Sequence, residues 1–274
     1  MMIQKVTSNV FAETGVRGCN HTLVATSEGV VLIDTPQMPA DALNWRNEIA
    51  RHGEVKYIIN SEPHGDHYAG NFFFGGTVVG HEGTRKAILA SSPEQFKERM
   101  KTMAPEQVPL MDGYKFRAPT VTLNDTLTIF LGHHTFQIIA MPGHSPSQVA
   151  VFIPEERVVC TSDNVSYKVA PWLHEALPFD WLKSLKRLQE LDADVLVPGH
   201  GSVCKKSYAK EMADFIQLWI DTVQAAIDKG WSVEEAQAKI NLLDKMPMEK
   251  GGEAMGPMVM KMNVTRLYEV LKKK

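Results

Sequence analysis

Cysteine is scarce in this chain. Three residues, Cys19, Cys160 and Cys204, occur among 274, an odd number without Cys-x-x-Cys spacing. A disulfide framework finds no support, a reducing compartment is the simpler setting, and a cytoplasmic protein is expected. Long apolar runs are missing as well. No stretch approaches the roughly 18 uninterrupted apolar residues of a membrane span. Residues 1–10 show no basic segment leading into an apolar one, so no secretory leader is expected either. Charge of one sign is also absent: 29 Lys and Arg against 32 Asp and Glu leave a formal net charge of −3. Nothing here invites nucleic acid as the main partner, and the lysines at 272–274 read as a solvated tail.

What remains is an average globular composition, 44% apolar, 22% charged and 8% aromatic, which excludes disordered, collagen-like and coiled-coil chains. The length suits one large α/β domain or two small ones. Apolar runs bounded by turn residues predict strands at Phe11–Glu13, His21–Thr26, Gly29–Asp34, Val55–Asn60, Val78–Val79, Asp125–Ile129, Thr135–Ala140, Val149–Ile153, Arg157–Ser162 and Asp194–Val197. Helices are expected at Pro39–His52, at Glu82–Met103 with a break at Pro93, and at Phe179–Leu191. From about Ser207 the chain turns helical: Ala209–Lys229, Val233–Leu243 and Val259–Lys272. Strands ending in a carboxylate at Asp34 and at Asp163 suggest two βα-rich halves packed face to face, with polar loops gathered at one edge.

The chemistry concentrates in Glu62-Pro63-His64-Gly65-Asp66-His67. Four metal-capable side chains in six residues are costly to bury unpaired. In an extended segment Glu62 and His64 face one centre. A turn at Gly65 then brings Asp66 and His67 to a second. His144 in Met-Pro-Gly-His-Ser-Pro, Asp163 at a strand end and His200 between two glycines complete a set large enough for two metals.

These pieces, in this order, resemble the metallo-β-lactamase superfamily over about residues 1–205. The resemblance implies an α/β fold, an αββα sandwich over residues 1–205 with its metal site at the sheet edge. Residues 206–274 are then a helical C-terminal extension packed on the same domain. It further implies that Glu62, His64 and His144 hold one metal and that Asp66, His67 and His200 hold a second. Asp163 bridges the two, and Asp34 resembles the family's structural aspartate, which orders the ligand loop and need not bind metal. One departure stands out: Glu62 occupies the place of the first His in the His-x-His-x-Asp-His pattern. Two divalent ions, three carboxylates and a bridging hydroxide then sum to about zero, where a histidine would leave +1. A less positive site activates water less strongly, and its harder oxygen ligands make manganese or iron competitive with zinc.

The expected activity is hydrolysis of a small molecule. A metal-bound hydroxide held between two divalent ions, zinc foremost, attacks an amide or ester carbonyl, with β-lactams or lactones favoured. Asp66 is the candidate to orient water or pass a proton. A phosphodiesterase on the same scaffold needs a basic groove, thinly supplied by Arg85, Lys86 and Lys168. A mononuclear-iron redox enzyme would consume oxygen, and a binding module would have lost activity through Glu62. Around the site, His81 and His21 are weighed as neighbours, and Trp172, His174, Phe179 and Trp181 as pocket walls. His133 and His134 read as a turn pair and Cys204 as a packed thiol. The methionine-rich joint 246–262 suits a pliable lid, a homodimer surface or a core-filling helix end.

Overall fold

The computed structural model describes residues 3–273. Its first sheet has seven strands in sequential order: β1 (Ile3–Lys5), β2 (Val10–Glu13), β3 (His21–Thr26), β4 (Gly29–Ile33), β5 (Val55–Asn60), β6 (Thr77–His81) and β7 (Val121–Leu123). Pairing is antiparallel up to β4 and parallel from β4 to β7. The second sheet has six: β8 (Thr126–Leu131), β9 (His134–Ala140), β10 (Val149–Ile153), β11 (Val158–Tyr167), β12 (Val195–Gly201) and β13 (Cys204–Lys205). There only the β11–β12 pair is parallel. The helices are α1 (Pro39–Ile49), α2 (Gly65–Tyr68), α3 (Glu82–Ala90), α4 (Pro93–Met103), α5 (Pro178–Glu190), α6 (Tyr208–Asp228), α7 (Val233–Lys239) and α8 (Gly256–Lys272).

Alternation along the strands builds the layers. In β4, Val31 and Ile33 face the second sheet while Val30 and Leu32 face Trp45 and Ile49 of α1. In β10, Val149, Val151 and Ile153 meet the first sheet while Ala150 and Phe152 turn outward. Strands buried on both faces read as continuous apolar runs, as these do. The outward face of the second sheet is covered by Trp181 and Leu185 of α5, Met212, Phe215 and Trp219 of α6, and Val264 and Leu267 of α8. The result is the expected α/β architecture, an αββα sandwich with helices on both outer faces. Among the described residues no helix is long and apolar enough to cross a membrane.

Several local expectations need correction. Asp163 does not end a strand; β11 continues to Tyr167, and Ser162, at φ +50°, breaks its register with β12. The turn after Gly65 is the opening of α2, so Asp66 and His67 stand on a helical turn. The helix expected to reach Leu243 stops at Lys239, and the last one begins at Gly256 instead of Val259. Lys274, the end of the lysine tail, and Met1 and Met2 lie outside the described residues.

Candidate metal centre

The site-bearing segments emerge at one edge of the sandwich. Asp34 follows β4, residues 61–64 follow β5, His144 lies between β9 and β10, Asp163 is inside β11 and His200 is near the end of β12. Hydrogen bonds stitch the two sheets together at this edge. Val149 N–H donates to Ser61 O at 2.7 Å, Ser61 Oγ lies 2.7 Å from Ser162 Oγ, and Asn20 Nδ2 donates to the carbonyls of Pro198 and Gly201 at 2.8 and 2.7 Å.

All seven side chains singled out in the sequence meet here. Glu62, His64 and His144 form one group with ligand atoms within 4.8 Å of one another, and Asp66, His67 and His200 form another. Asp163 lies between them. Its Oδ1 is 3.3 Å from His67 Nε2, and its Oδ2 is 3.3 Å from His200 Nε2 and 3.7 Å from His144 Nε2. Glu62 reaches both groups, with Oε1 2.7 Å from His64 Nδ1 and 3.0 Å from His67 Nε2. Its Oε2 accepts from Ser145 Oγ at 3.2 Å. A cation fits this donor chemistry: His67 Nε2 and Asp163 Oδ1 are buried, face the cluster and make no hydrogen bond.

Neighbouring groups set the imidazole orientations. Asp34 accepts from Ser61 N–H at 2.8 Å and from Ser61 Oγ at 2.5 Å, and its Oδ2 lies 2.9 Å from His67 Nδ1. That contact turns His67 Nε2 inward. The loop of His144 is held by Asn164, whose Oδ1 accepts from His144 N–H at 3.0 Å and whose Nδ2 donates to Met141 O at 2.7 Å. Trp181 packs edge-on against the His144 ring and donates its Nε1–H to Asn164 O.

Electrostatics follows from burial against mutual charge. Burial pushes Glu62 up, but the charges of His64 and His67 outweigh it and hold its carboxyl below the ordinary range. Asp163 is likewise held well below, its burial overcome by His200 and His67. Burial works against protonated His64, yet Glu62 and Glu175 push it up to about 11. Against their burial, His67 is raised by Cys19 together with Glu62, Asp163 and Asp34, and His200 by Asp163, Glu249 and Asp66. His144 goes the other way, kept low by burial. Without a cation the cluster is thus a lattice of carboxylates and histidine protons.

The cluster floors a cleft of about 810 Å³. Val16, Val169, Pro171, Trp172, Met248 and Met255 supply apolar wall, and Arg17 and Lys250 are its cationic side chains. The segment 246–256 between α7 and α8 therefore forms part of the wall, and Pro247 O accepts from Ala170 N–H at 2.7 Å. His174 is a lining residue, whereas Phe179 packs on the core. His81 instead caps α3, its Nδ1 accepting from Gly83 N–H at 3.0 Å. His21 is buried edge-on against Trp45, and His134 lies 2.8 Å from Glu156. Three neighbours had no signal in the sequence. Cys19 Sγ donates to Asp66 O at 3.1 Å, Glu175 Oε2 is 3.6 Å from His64 Nε2, and Glu249 Oε2 is 3.4 Å from His200 Nδ1.

Comparison with known proteins identifies the family and the fold. The family model for the metallo-beta-lactamase superfamily matches residues 14–200. The chain is 26% identical over 234 residues to the 2,4-dinitroanisole O-demethylase subunit alpha of Nocardioides sp. (strain JS1661), a match covering 81% of this chain and 61% of that protein. It is 27% identical over 138 residues to the linear primary-alkylsulfatase of Pseudomonas sp. (strain ATCC 19151), covering 46% and 26%. The chain thus spans at most 61% of the length of these two relatives. A metallo-beta-lactamase family protein of Thermus thermophilus shares the fold, with a TM-score of 0.71 over 98% of this chain and 95% of that one at 19% identity. With a family model laid over most of its length and the donor cluster at the expected sheet edge, the chain belongs to the metallo-beta-lactamase superfamily and carries that family's hydrolase fold.

Proposed function

We propose that this chain hydrolyses the amide or ester carbonyl of a small molecule, with β-lactams and lactones as the favoured class. Two divalent ions, zinc foremost, would be held by Glu62, His64 and His144 on one side and by Asp66, His67 and His200 on the other, with Asp163 shared. The observation that carries this reading is the placement of both donor groups, joined by Asp163, on the floor of an open cleft. Ions bound there would supply Lewis acidity and lower the pKa of water.

The remaining work belongs to the chain's own residues. Asp66 lines the cleft with its carboxylate 3.5 Å from His200 Nε2, a position from which it can orient water and receive its proton. Trp172, Met248 and Met255 offer apolar surface to a ring or acyl body. Arg17 and Lys250 are suited to an anionic substituent on the same substrate. The basic side chains weighed for a phosphodiesterase lie away from the cleft. Arg85 donates to Pro119 O, Lys86 pairs with Glu82, Lys168 lies over Tyr167, and none of them lines the cleft. A second reading, cleavage of an alkyl sulfate, is favoured by the name of one relative and by the same two cationic side chains.

The test is a panel of a β-lactam, a lactone, a thioester, an alkyl sulfate and a phosphodiester. Each is assayed with zinc-, manganese- and iron-loaded protein and with the Asp163→Asn variant. Turnover of a carbonyl substrate, abolished by chelation and reduced at least ~100-fold by Asp163→Asn, is the expected result. Turnover of the sulfate alone would replace the first reading with the second. Oxygen uptake with one equivalent of iron would overturn both.

A further inference from the structure

His200 is a candidate donor with a glycine on each side in its own strand, Gly199 and Gly201 of β12, so neither neighbour in the chain has a side chain to brace its ring. Nε2 looks into the cluster, 3.5 Å from Asp66 Oδ2 and 3.3 Å from Asp163 Oδ2. Nδ1 looks outward, 3.4 Å from Glu249 Oε2. His67, the other imidazole of that group, receives the same outer support from Asp34, which is rooted in the core beside β4. The support for His200 comes from a different place, the wall segment 246–256.

That segment is tied to the body on its entering side. Met246 is buried, and Pro247 O accepts from Ala170 N–H. Beyond Glu249 it folds on itself: Gly252 N–H donates to Glu249 O at 2.9 Å, and Gly251 takes a left-handed backbone with φ +88°. Met248, Glu249, Lys250, Gly251, Gly252 and Met255 all border the cleft. One carboxylate therefore touches both the imidazole and the wall.

We infer that Glu249 is a positioning residue. By accepting the Nδ1–H of His200 it keeps the Nε2 lone pair facing the Asp66–His67–His200 group, and it ties the seat of the cleft wall to occupation of that group by a cation. The inference rests on the proposed reading of this group as a cation site. A cation at Nε2 makes Nδ1–H a stronger donor, which tightens its bond to Glu249. Linkage makes the effect mutual, so a seated wall also favours the cation.

The experiment is a zinc titration of the full chain against a competing chelator, for wild type, Glu249→Gln and Glu175→Gln. Glu175→Gln removes the same charge from the other side of the cluster and serves as the comparison. Expected is a ~10–100-fold weakening of one of two zinc-binding steps in Glu249→Gln. The other step should be unchanged, and the affected step should be intact in Glu175→Gln. In parallel, zinc should slow trypsin cleavage after Lys250 in wild type and not in Glu249→Gln. Wild-type zinc binding in Glu249→Gln, or equal weakening of the same step by both variants, overturns the inference alone. A wild-type chain that binds no zinc, and neither manganese nor iron in the same titration, overturns the proposed function, and this inference with it.

Discussion

The donor residues differ in how firmly each holds its proton, and that difference dictates how the site answers to pH. His64, raised to about 11, keeps its proton across neutrality when no cation is present, as do His67 and His200, also raised. Their contribution to stability is complete below the unfolded histidine value of ~6.5 and fades as pH climbs toward their folded values. Glu62 and Asp163, both depressed, contribute above the unfolded carboxylate range of ~4 and lose that contribution as pH falls through their folded values. A cation must displace the histidine protons, so its affinity should rise with pH. Zinc affinity measured by chelator competition from pH 6 to 8 is expected to increase ~10-fold or more per unit, while the thermal midpoint of cation-free protein falls from pH 7 to 9.5. An affinity independent of pH would contradict the pairing described. The candidate donors stood out in the sequence because metal-capable side chains crowd residues 62–67 and the remaining three sit beside glycine or at the end of an apolar run. Glu175 and Glu249 were not. An isolated carboxylate in a loop carries no local pattern, and Glu249 meets His200 only because the chain returns to the cleft after two further helices.

At the level of single elements, β11 and β12 show how a strand is bent to present a candidate ligand. Ser162 adopts φ +50° and the register slips on both sides of it, which swings Asp163 into the cluster. Such left-handed backbone at a non-glycine residue costs on the order of 1–3 kcal/mol and persists where neighbours enforce it. Gly199 of β12 makes room for the manoeuvre: a Cβ there would lie 1.8 Å from Asp163 Oδ1 and 2.8 Å from Asp163 N. Gly199→Ala should therefore expel Asp163, lower unfolding free energy by ~1–3 kcal/mol and remove tight zinc binding, read by denaturant titration and metal analysis. Retention of both would show that β12 can yield without disturbing Asp163. Reading the sequence located β3, β5 and β10 at their observed bounds, because each is a short apolar run closed by turn residues. It missed β1, β7 and β13, strands of two or three residues whose pairing comes from distant neighbours and leaves too little periodicity to see. It also placed Asp163 at a strand end, because a bulge inside an apolar strand looks locally like its termination.

For the molecule as a whole, the helices after residue 205 join α5 in the outer layer of the second sheet. Met212, Phe215, Ile216, Trp219, Val264 and Leu267 pack in one cluster with Phe152, Val159 and Leu196. Burying six such side chains contributes on the order of 10 kcal/mol, comparable to the entire net stability of a typical domain. A chain ending at residue 205 is expected to be unfolded or aggregated, and the full chain to unfold in one calorimetric transition. A soluble, cooperatively folded fragment 1–205 would show that this layer is dispensable. The αββα arrangement could be foreseen from the family resemblance, whereas this outer cluster could not, since helix amphipathicity identifies an apolar face without naming its partner. The ligand groups have one more implication. Glu62, His64, Asp66 and His67 come from the first sheet, and His144, Asp163 and His200 from the second, so each triad draws on both. An ion lodged there would act as a rivet through two plates. Prying the sheets apart would first require surrendering it, and two separately made halves would have reason to rejoin only in its presence.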